Sequence, residues 1–375
     1  MINTIIVEDT TLRDGEQSPG IAFTKEKKLS IFSSLLEAGV GWVEVGIPAM
    51  GGDELEVLKL LLERKDEATL IAWNRGVETD VIQSLDLGFQ AVHIGLPTSA
   101  IHLNSSVKKD RLWLMQTASD LIARAKDRGV YVSISAEDVG RSDIEFIEEY
   151  ALHVAAAGAD RIRLSDTIGI LRPDQYAAII SRVVKVSDIA VQCHAHNDFG
   201  LATANTLAGL AAGATFFHAT VNGIGERAGM PDLAQCVLAL KLLYGVDVGV
   251  DPKKLISLSR LVEDATHAKC PPWQPIVGSN VFAHESGIHV NATLNDCASF
   301  EPFHPELVDG VRKIVVGKHS GAAAIESVLS SMGEDYSIDD LQSYLMLVRA
   351  SAMKKGSALE YEDLLGLIRR AKKAV

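Results

Sequence analysis

Ala157-Gly158-Ala159-Asp160-Arg161-Ile162-Arg163-Leu164-Ser165-Asp166 closes an amphipathic helical stretch on a glycine, runs at once into an apolar segment, and ends in polar groups. Gly158 fits the left-handed position just past a helix, where a Cβ would clash. The same signature recurs around Gly39 (EAGVGWVEVG), Gly88 (DLGFQAVHIG), Gly129 (DRGVYVSIS) and Gly213 (AAGATFFHAT). Adding IIVEDTTLRD at the start, LIAWNR near residue 71 and IAVQCHAHND near residue 190 gives eight candidate strands, each followed by a helix-length stretch until about residue 245. Eight such units predict an α/β fold closed into a (β/α)8 TIM barrel. The strands read as mostly apolar in their first halves, as expected when both faces are covered, and turn polar at their C-terminal ends. A doubly wound open sheet is the alternative. Polar chemistry at the end of every strand, and not at one crevice, favours the barrel.

Past the barrel, Cys270-Pro271-Pro272-Trp273-Gln274-Pro275 forbids a regular helix or central strand. The expected organisation is a catalytic barrel over 1–260, a linker and His/Gly-rich segment over 261–320, and a small, mostly α-helical C-terminal region over 321–375, with Ser337 as a helix N-cap.

The 375 residues carry 36 Lys plus Arg against 49 Asp plus Glu, a formal charge of −13, with 47% hydrophobic residues. Such an acidic chain lacks the electrostatic footprint of a nucleic-acid or anionic-membrane binder, so any anionic ligand must meet locally placed cations. No apolar run reaches the roughly 18 residues of a membrane span, and the N-terminus has no basic-then-apolar leader, so a cytoplasmic protein is expected. Cys193, Cys236, Cys270 and Cys297 are scattered and read as reduced thiols.

His194 and His196 stand two apart at the end of the seventh candidate strand, so both imidazoles leave one face and can converge on a point. Two structural histidines would look the same. Asp14 ends the first strand, near strand seven around a barrel mouth, and would add a carboxylate, giving a metal site with open positions. Arg13 beside it suits an oxygen that becomes negative during reaction. Gln17, in the same polar run from Asp9, faces the same mouth. Glu137 after strand five, Thr167 after strand six, and Glu226 and Arg227 after strand eight project there too. Glu137 reads as a base or as an ion-pair partner. The glycines of Asn222-Gly223-Ile224-Gly225-Glu226-Arg227-Ala228-Gly229 miss the dinucleotide fingerprint, so no nicotinamide is expected.

Asp9 to Gln17, His194-x-His196-Asn197-Asp198, the Asn222 to Gly229 run and His284-Glu285-Ser286-Gly287-Ile288-His289 occur in the order found in the metal-dependent Claisen-condensing synthases related to isopropylmalate and homocitrate synthase, which the chain resembles from residue 4 to about 320. Within that family, Glu44-Val45-Gly46-Ile47-Pro48-Ala49-Met50-Gly51 and the compact length are most similar to the homocitrate synthases of nitrogen-fixing bacteria. The resemblance implies condensation of acetyl-CoA with 2-oxoglutarate. It also implies a divalent metal (Mg2+, Mn2+ or Zn2+) on Asp14, His194 and His196, with Arg13 and Thr167 fixing the 2-oxo acid. Glu137 and His289 would handle protons, His289 arriving from the neighbouring subunit of a homodimer. No leucine feedback is expected. Arg75, Arg163 and His93 are candidates for the distal carboxylate by strand-end location. Met230 stands where isopropylmalate synthases place a metal-binding asparagine, and Phe300 where relatives carry tyrosine. Rival readings are an isopropylmalate or citramalate synthase, an aldolase or acyl-CoA lyase on the same barrel, and a non-catalytic 2-oxo acid sensor.

Overall fold

The computed structural model describes residues 4–373. All five helix-closing glycines adopt positive φ: 90° at Gly39, 91° at Gly88, 70° at Gly129, 97° at Gly158 and 112° at Gly213. Each releases the chain into a strand. The strands are β1 (Ile6–Asp9), β2 (Trp42–Gly46), β3 (Thr69–Arg75), β4 (Ala91–Gly95), β5 (Tyr131–Glu137), β6 (Arg161–Asp166), β7 (Ala190–Ala195) and β8 (Phe216–Ala219). All pair in parallel with their sequence neighbours, and β8 returns to β1 with Ile6 opposite Phe216 and Asp9 opposite Ala219. The sheet is a closed barrel, as the repeat predicted.

Helices α1 (Lys25–Glu37), α2 (Gly52–Leu62), α3 (Glu78–Asp86), α4 (Arg111–Lys126), α5 (Ile144–Ala156), α6 (Pro173–Val186), α7 (Ala202–Ala211) and α8 (Leu233–Leu243) alternate with the strands. The outward strand residues that meet them, among them Val43, Val92, Ile134, Ile162 and Val191, are buried and apolar. A ninth helix, α9 (Leu255–Thr266), packs on α1, so the barrel unit continues to Lys269 and the boundary expected at residue 260 falls inside a helix.

The apolar reading of the first strand halves holds only for the outward set. Side chains alternate along a strand, and the inward set is ionic. Arg161 and Arg163 on β6 reach across the lumen to Glu8 on β1, at 2.5 and 2.9 Å, and Arg163 also meets Glu44 on β2 at 2.8 Å. All four side chains are essentially inaccessible. Below them the Arg161 guanidinium lies 4.5 Å from the Phe216 ring centroid and 5.5 Å from that of Trp42. A TIM-barrel lumen is usually filled by branched apolar side chains; here buried charges are tolerated because each is paired and hydrogen-bonded.

The second compact unit begins at Cys270. It holds a two-stranded parallel sheet of β9 (Ala283–His284) and β10 (Lys313–Ile314), with α10 (Gly287–Asn295), α11 (Ala322–Ser331), α12 (Leu341–Lys355) and α13 (Tyr361–Lys373). Its core joins Val316 to Ile325, Leu329, Val348, Leu364 and Ile368, so the His/Gly-rich segment and the helical tail belong to one packed unit. Ser337 does cap, accepting from the Asp339 N–H, at a short turn leading into α12. None of the four cysteines forms a disulfide. Among the described residues, no helix is long and apolar enough to cross a membrane.

A Cβ on Gly39 would lie 2.3 Å from the Gly249 carbonyl oxygen, whereas at Gly88 it would meet nothing within 4 Å. Gly88→Ala is expected to cost only the left-handed backbone penalty of about 1–2 kcal/mol. Gly39→Ala should cost clearly more, because backbone must also move. Urea unfolding of both variants checks this; equal losses would show that the close approach carries no energy.

Candidate active site

The period of two along β7 sends His194 and His196 to one side, as expected, and their Nε2 atoms lie 3.2 Å apart. Asp14 follows β1, which is two strands away around the closed sheet, and its Oδ2 is 3.8 Å from His194 Nε2. One ligand atom from each of the three residues falls within 4.8 Å of the others, and all three are buried. Ligands at about 2.0–2.1 Å from one metal are themselves about 3–3.4 Å apart in octahedral or tetrahedral sites, close to the spacing of the two nitrogens. Asp14 Oδ1 and His196 Nδ1 have no hydrogen-bond partner among the described residues. Two aromatic nitrogens, a carboxylate and orphaned buried atoms fit a divalent cation. Burial, with neighbouring positive groups, holds His194 well below the usual imidazole pKa, and burial lowers His196 as well. Both are therefore neutral, the state in which an imidazole ligates.

Arg13 is fixed from three sides. Its Nε donates to Glu44 at 2.5 Å, Nη1 meets Asp14 Oδ2 at 3.0 Å, and Nη1 also donates to Gln17 at 3.3 Å. Its Nη2 is buried without a partner. Arg13, Asp14, Gln17, His93, Glu137 and Thr167 line one cavity of about 190 Å3, with the two metal-site histidines and Arg163. That is smaller than the roughly 300–1,000 Å3 of drug-sized sites and suits a small acid.

His93 and Ser133 face each other on β4 and β5, His93 Nδ1 to Ser133 Oγ at 2.9 Å, and Arg161 Nε donates to the same hydroxyl at 3.2 Å. Ser133 Oγ has one proton and two lone pairs, so it accepts from Arg161 and can either donate to His93 Nδ1 or accept from it. Burial and the nearby guanidiniums keep His93 neutral, and its Nε2 is buried with no partner. Glu137, at the end of β5, has its carboxyl pKa raised by burial against the opposing pull of Arg13. A side chain on Gly95 would come within 2.8 Å of Glu137 Oε1 and 2.7 Å of Trp73, so glycine keeps that wall open. Trp73 and Glu137 also border a second, more apolar cavity of about 380 Å3 with Leu96, Pro97, Val107 and Trp113.

The expected residues do not all converge. Arg75 turns away into a bidentate pair with Asp80, at 2.6 and 2.9 Å, and borders the second cavity instead of the first. Arg163 reaches the first cavity, but its charge is already engaged by Glu8 and Glu44. Arg227, at φ 58°, straps the mouth by pairing with Asp198 and donating to the Thr167 carbonyl, each at 2.8 Å. Met230 is buried beneath Gly225 and offers the site no oxygen. His289 lies on α10 in the second unit, stacked on Phe300 with ring centroids 3.9 Å apart. Sequence reading gave no site role to Glu8, Glu44, Ser133 or His218. Their signal was there: Glu8-x-Thr10, Trp42-x-Glu44, Arg161-x-Arg163 and Phe216-x-His218 are all period-two positions on strands.

Residues 4–262 match the family model HMGL-like, and residues 276–356 match the homocitrate synthase post-HMGL domain-like model. The chain belongs to the HMGL-like family. It is 57% identical over 371 residues, 99% of this chain and all of the relative, to a 2-phosphonomethylmalate synthase of Streptomyces rubellomurinus. It is 42% identical to homocitrate synthase 1 of Nostoc, with 98% of each chain covered. A 2-isopropylmalate synthase of Caldanaerobacter subterraneus is also 42% identical, covering 97% of this chain and 94% of that one. Among solved structures, the Bacillus subtilis HMG-CoA lyase covers 72% of this chain and 95% of its own at a TM-score of 0.65 and 18% identity, a likeness of fold. Relatives of this identity and coverage are synthases, and this chain is an enzyme of that condensing, acyltransferase type.

Because burial raises the Glu137 pKa, a reaction that needs its carboxylate should gain rate with pH through an acid limb above the range of an ordinary Glu. Glu137→Gln is expected to lower kcat by about 10²–10⁴ and to abolish that limb. A kcat/KM profile of both forms checks this; an unchanged limb in the variant would assign it to another group.

Proposed function

We propose that this enzyme condenses acetyl-CoA with a 2-oxo acid bearing a second oxyanion at its far end, releasing CoA and a 2-hydroxy acid. The observation that carries the reading is a pair of buried, unpartnered nitrogens on the small cavity, Arg13 Nη2 and His93 Nε2, the latter a donor in the tautomer in which Ser133 donates to His93 Nδ1. Each calls for an acceptor on the ligand. An aliphatic far end would leave a buried donor unpaired at about 1–3 kcal/mol.

Asp14, His194 and His196 would hold a divalent cation, which when bound supplies Lewis-acid polarisation of the keto group. Arg13 and Thr167 orient the acid. Glu137 sits on the wall shared by both cavities, placed to take a proton from the acetyl methyl of a thioester whose arm occupies the Trp113 side. The methyl carbon then bonds to the keto carbon, the keto oxygen gains a proton, and water cleaves the thioester to carboxylate and CoA. By family resemblance His289, supplied by the neighbouring subunit of a cytoplasmic homodimer, assists the proton transfers.

The product named for the 57% relative disconnects, at the bond just described, into an acetyl unit and 3-phosphonopyruvate. Homocitrate disconnects in the same way into acetyl and 2-oxoglutarate. Both acids carry the second oxyanion that the donors require, and the higher identity favours the phosphonate. 2-Oxoglutarate, the acid suggested by the sequence motifs, is the second reading.

Thiol-detected CoA release with Mg2+ or Mn2+ is expected to rank 3-phosphonopyruvate first, 2-oxoglutarate second, and 2-oxoisovalerate at least about tenfold lower in kcat/KM. His93→Phe should narrow that last gap. Preference for 2-oxoisovalerate, or no release with any of the three, would refute the proposal. Trp113→Ala should raise the KM for acetyl-CoA several-fold and leave that of the 2-oxo acid unchanged, which initial-rate kinetics on each substrate would separate.

A further inference from the structure

His218 on β8 is fully buried, belongs to no step above, and touches a residue of the metal site. Its Nε2 lies 2.6 Å from Glu8 Oε1, and its Nδ1 lies 2.9 Å from His194 Nδ1. Glu8 is gripped by Arg161 and Arg163, which keeps it an ionised acceptor, so the proton in the 2.6 Å contact belongs to His218 Nε2. A neutral imidazole has one N–H. His218 Nδ1 is then a lone pair, and the proton between the two rings belongs to His194 Nδ1. That leaves the lone pair of His194 on Nε2, the atom facing His196 Nε2 at 3.2 Å and Asp14 Oδ2 at 3.8 Å.

We propose that Glu8 and His218 are a positioning pair that fixes the tautomer and ring orientation of His194 for a divalent cation. Metal-ligating histidines usually donate their second N–H directly to a carboxylate or carbonyl. Here the carboxylate acts through an intervening imidazole, so the orienting charge is anchored in the ionic lumen of the barrel. This rests on the metal-site reading of Asp14, His194 and His196, and is independent of which 2-oxo acid is used.

The test uses the full-length, metal-depleted protein and Co2+ alone as probe, with affinity from equilibrium dialysis and geometry from the visible spectrum. His218→Phe fills the volume but can neither accept from His194 nor donate to Glu8. It should weaken Co2+ binding about 10- to 100-fold and change the spectrum. His218→Gln, whose amide can accept from one neighbour and donate to the other, should recover most of the loss. A folded His218→Phe protein with wild-type affinity and spectrum, or no recovery in His218→Gln, would overturn the pair's role. Imidazole 15N NMR of the metal-depleted wild type needs no variant to fold: it should show the proton of His194 on Nδ1 and that of His218 on Nε2, and the reverse tautomers would overturn the proposal. Failure of the wild type to bind Co2+ would instead overturn the metal-site reading and this pair with it, whereas failure to release CoA would bear only on the proposed reaction.

Discussion

The contacts of Arg163 with Glu8 and Glu44 join three strands across the centre of the barrel, from positions 155 and 119 residues apart in the chain. Removing these groups from water costs several kcal/mol per ion, which is offset only when every partner is in place. In the lumen each of these charges faces an opposite one. Glu8, Glu44 and Asp14 face Arg13, Arg161 and Arg163, three carboxylates against three guanidiniums. Glu44 is held well below the usual carboxylate range by Arg13 and Arg163 despite its burial, and Glu8 is lowered to about 2 against the same burial penalty.

From this floor the site is built upward. Glu44 receives the Nε of Arg13 and so aims its remaining N–H groups at the cavity. Arg161 organises Ser133, and through it His93. Loss of one lumen charge would therefore disturb the Asp14–His194–His196 cluster, the cavity wall at His93 and the packing of the barrel together. Glu137 stands apart from this balance: no guanidinium lies within ion-pair distance of it among the described residues, and burial wins over the more distant attraction of Arg13. That separation leaves Glu137 a carboxyl whose pKa burial can raise, beside an arginine-paired Asp14 in the same cavity.

Much of this was legible in the chain. Five glycines at helix ends and eight apolar runs were enough for the closed barrel, because each reports a local backbone constraint. Asp14, His194 and His196 were legible because strand ends converge at a barrel mouth. The lumen network was not. Its members are separated by up to 155 residues, and a strand read alone shows an isolated Glu or Arg that looks like a surface position. Arg75 failed for a related reason: its location at a strand end was right, but Asp80, five residues on, captures its guanidinium. The tautomer of His218 emerges only when each proton is traced to a donor.

Trp73 and Glu137 border both cavities, and His93, which lines the smaller one, faces Ser133 across β4 and β5. Under the proposed reaction Glu137 would thus face the thioester side and the acid side of the site at once. A substitution at His93 or at Trp113 would then reshape one cavity at a time and leave Glu137, common to both, in place.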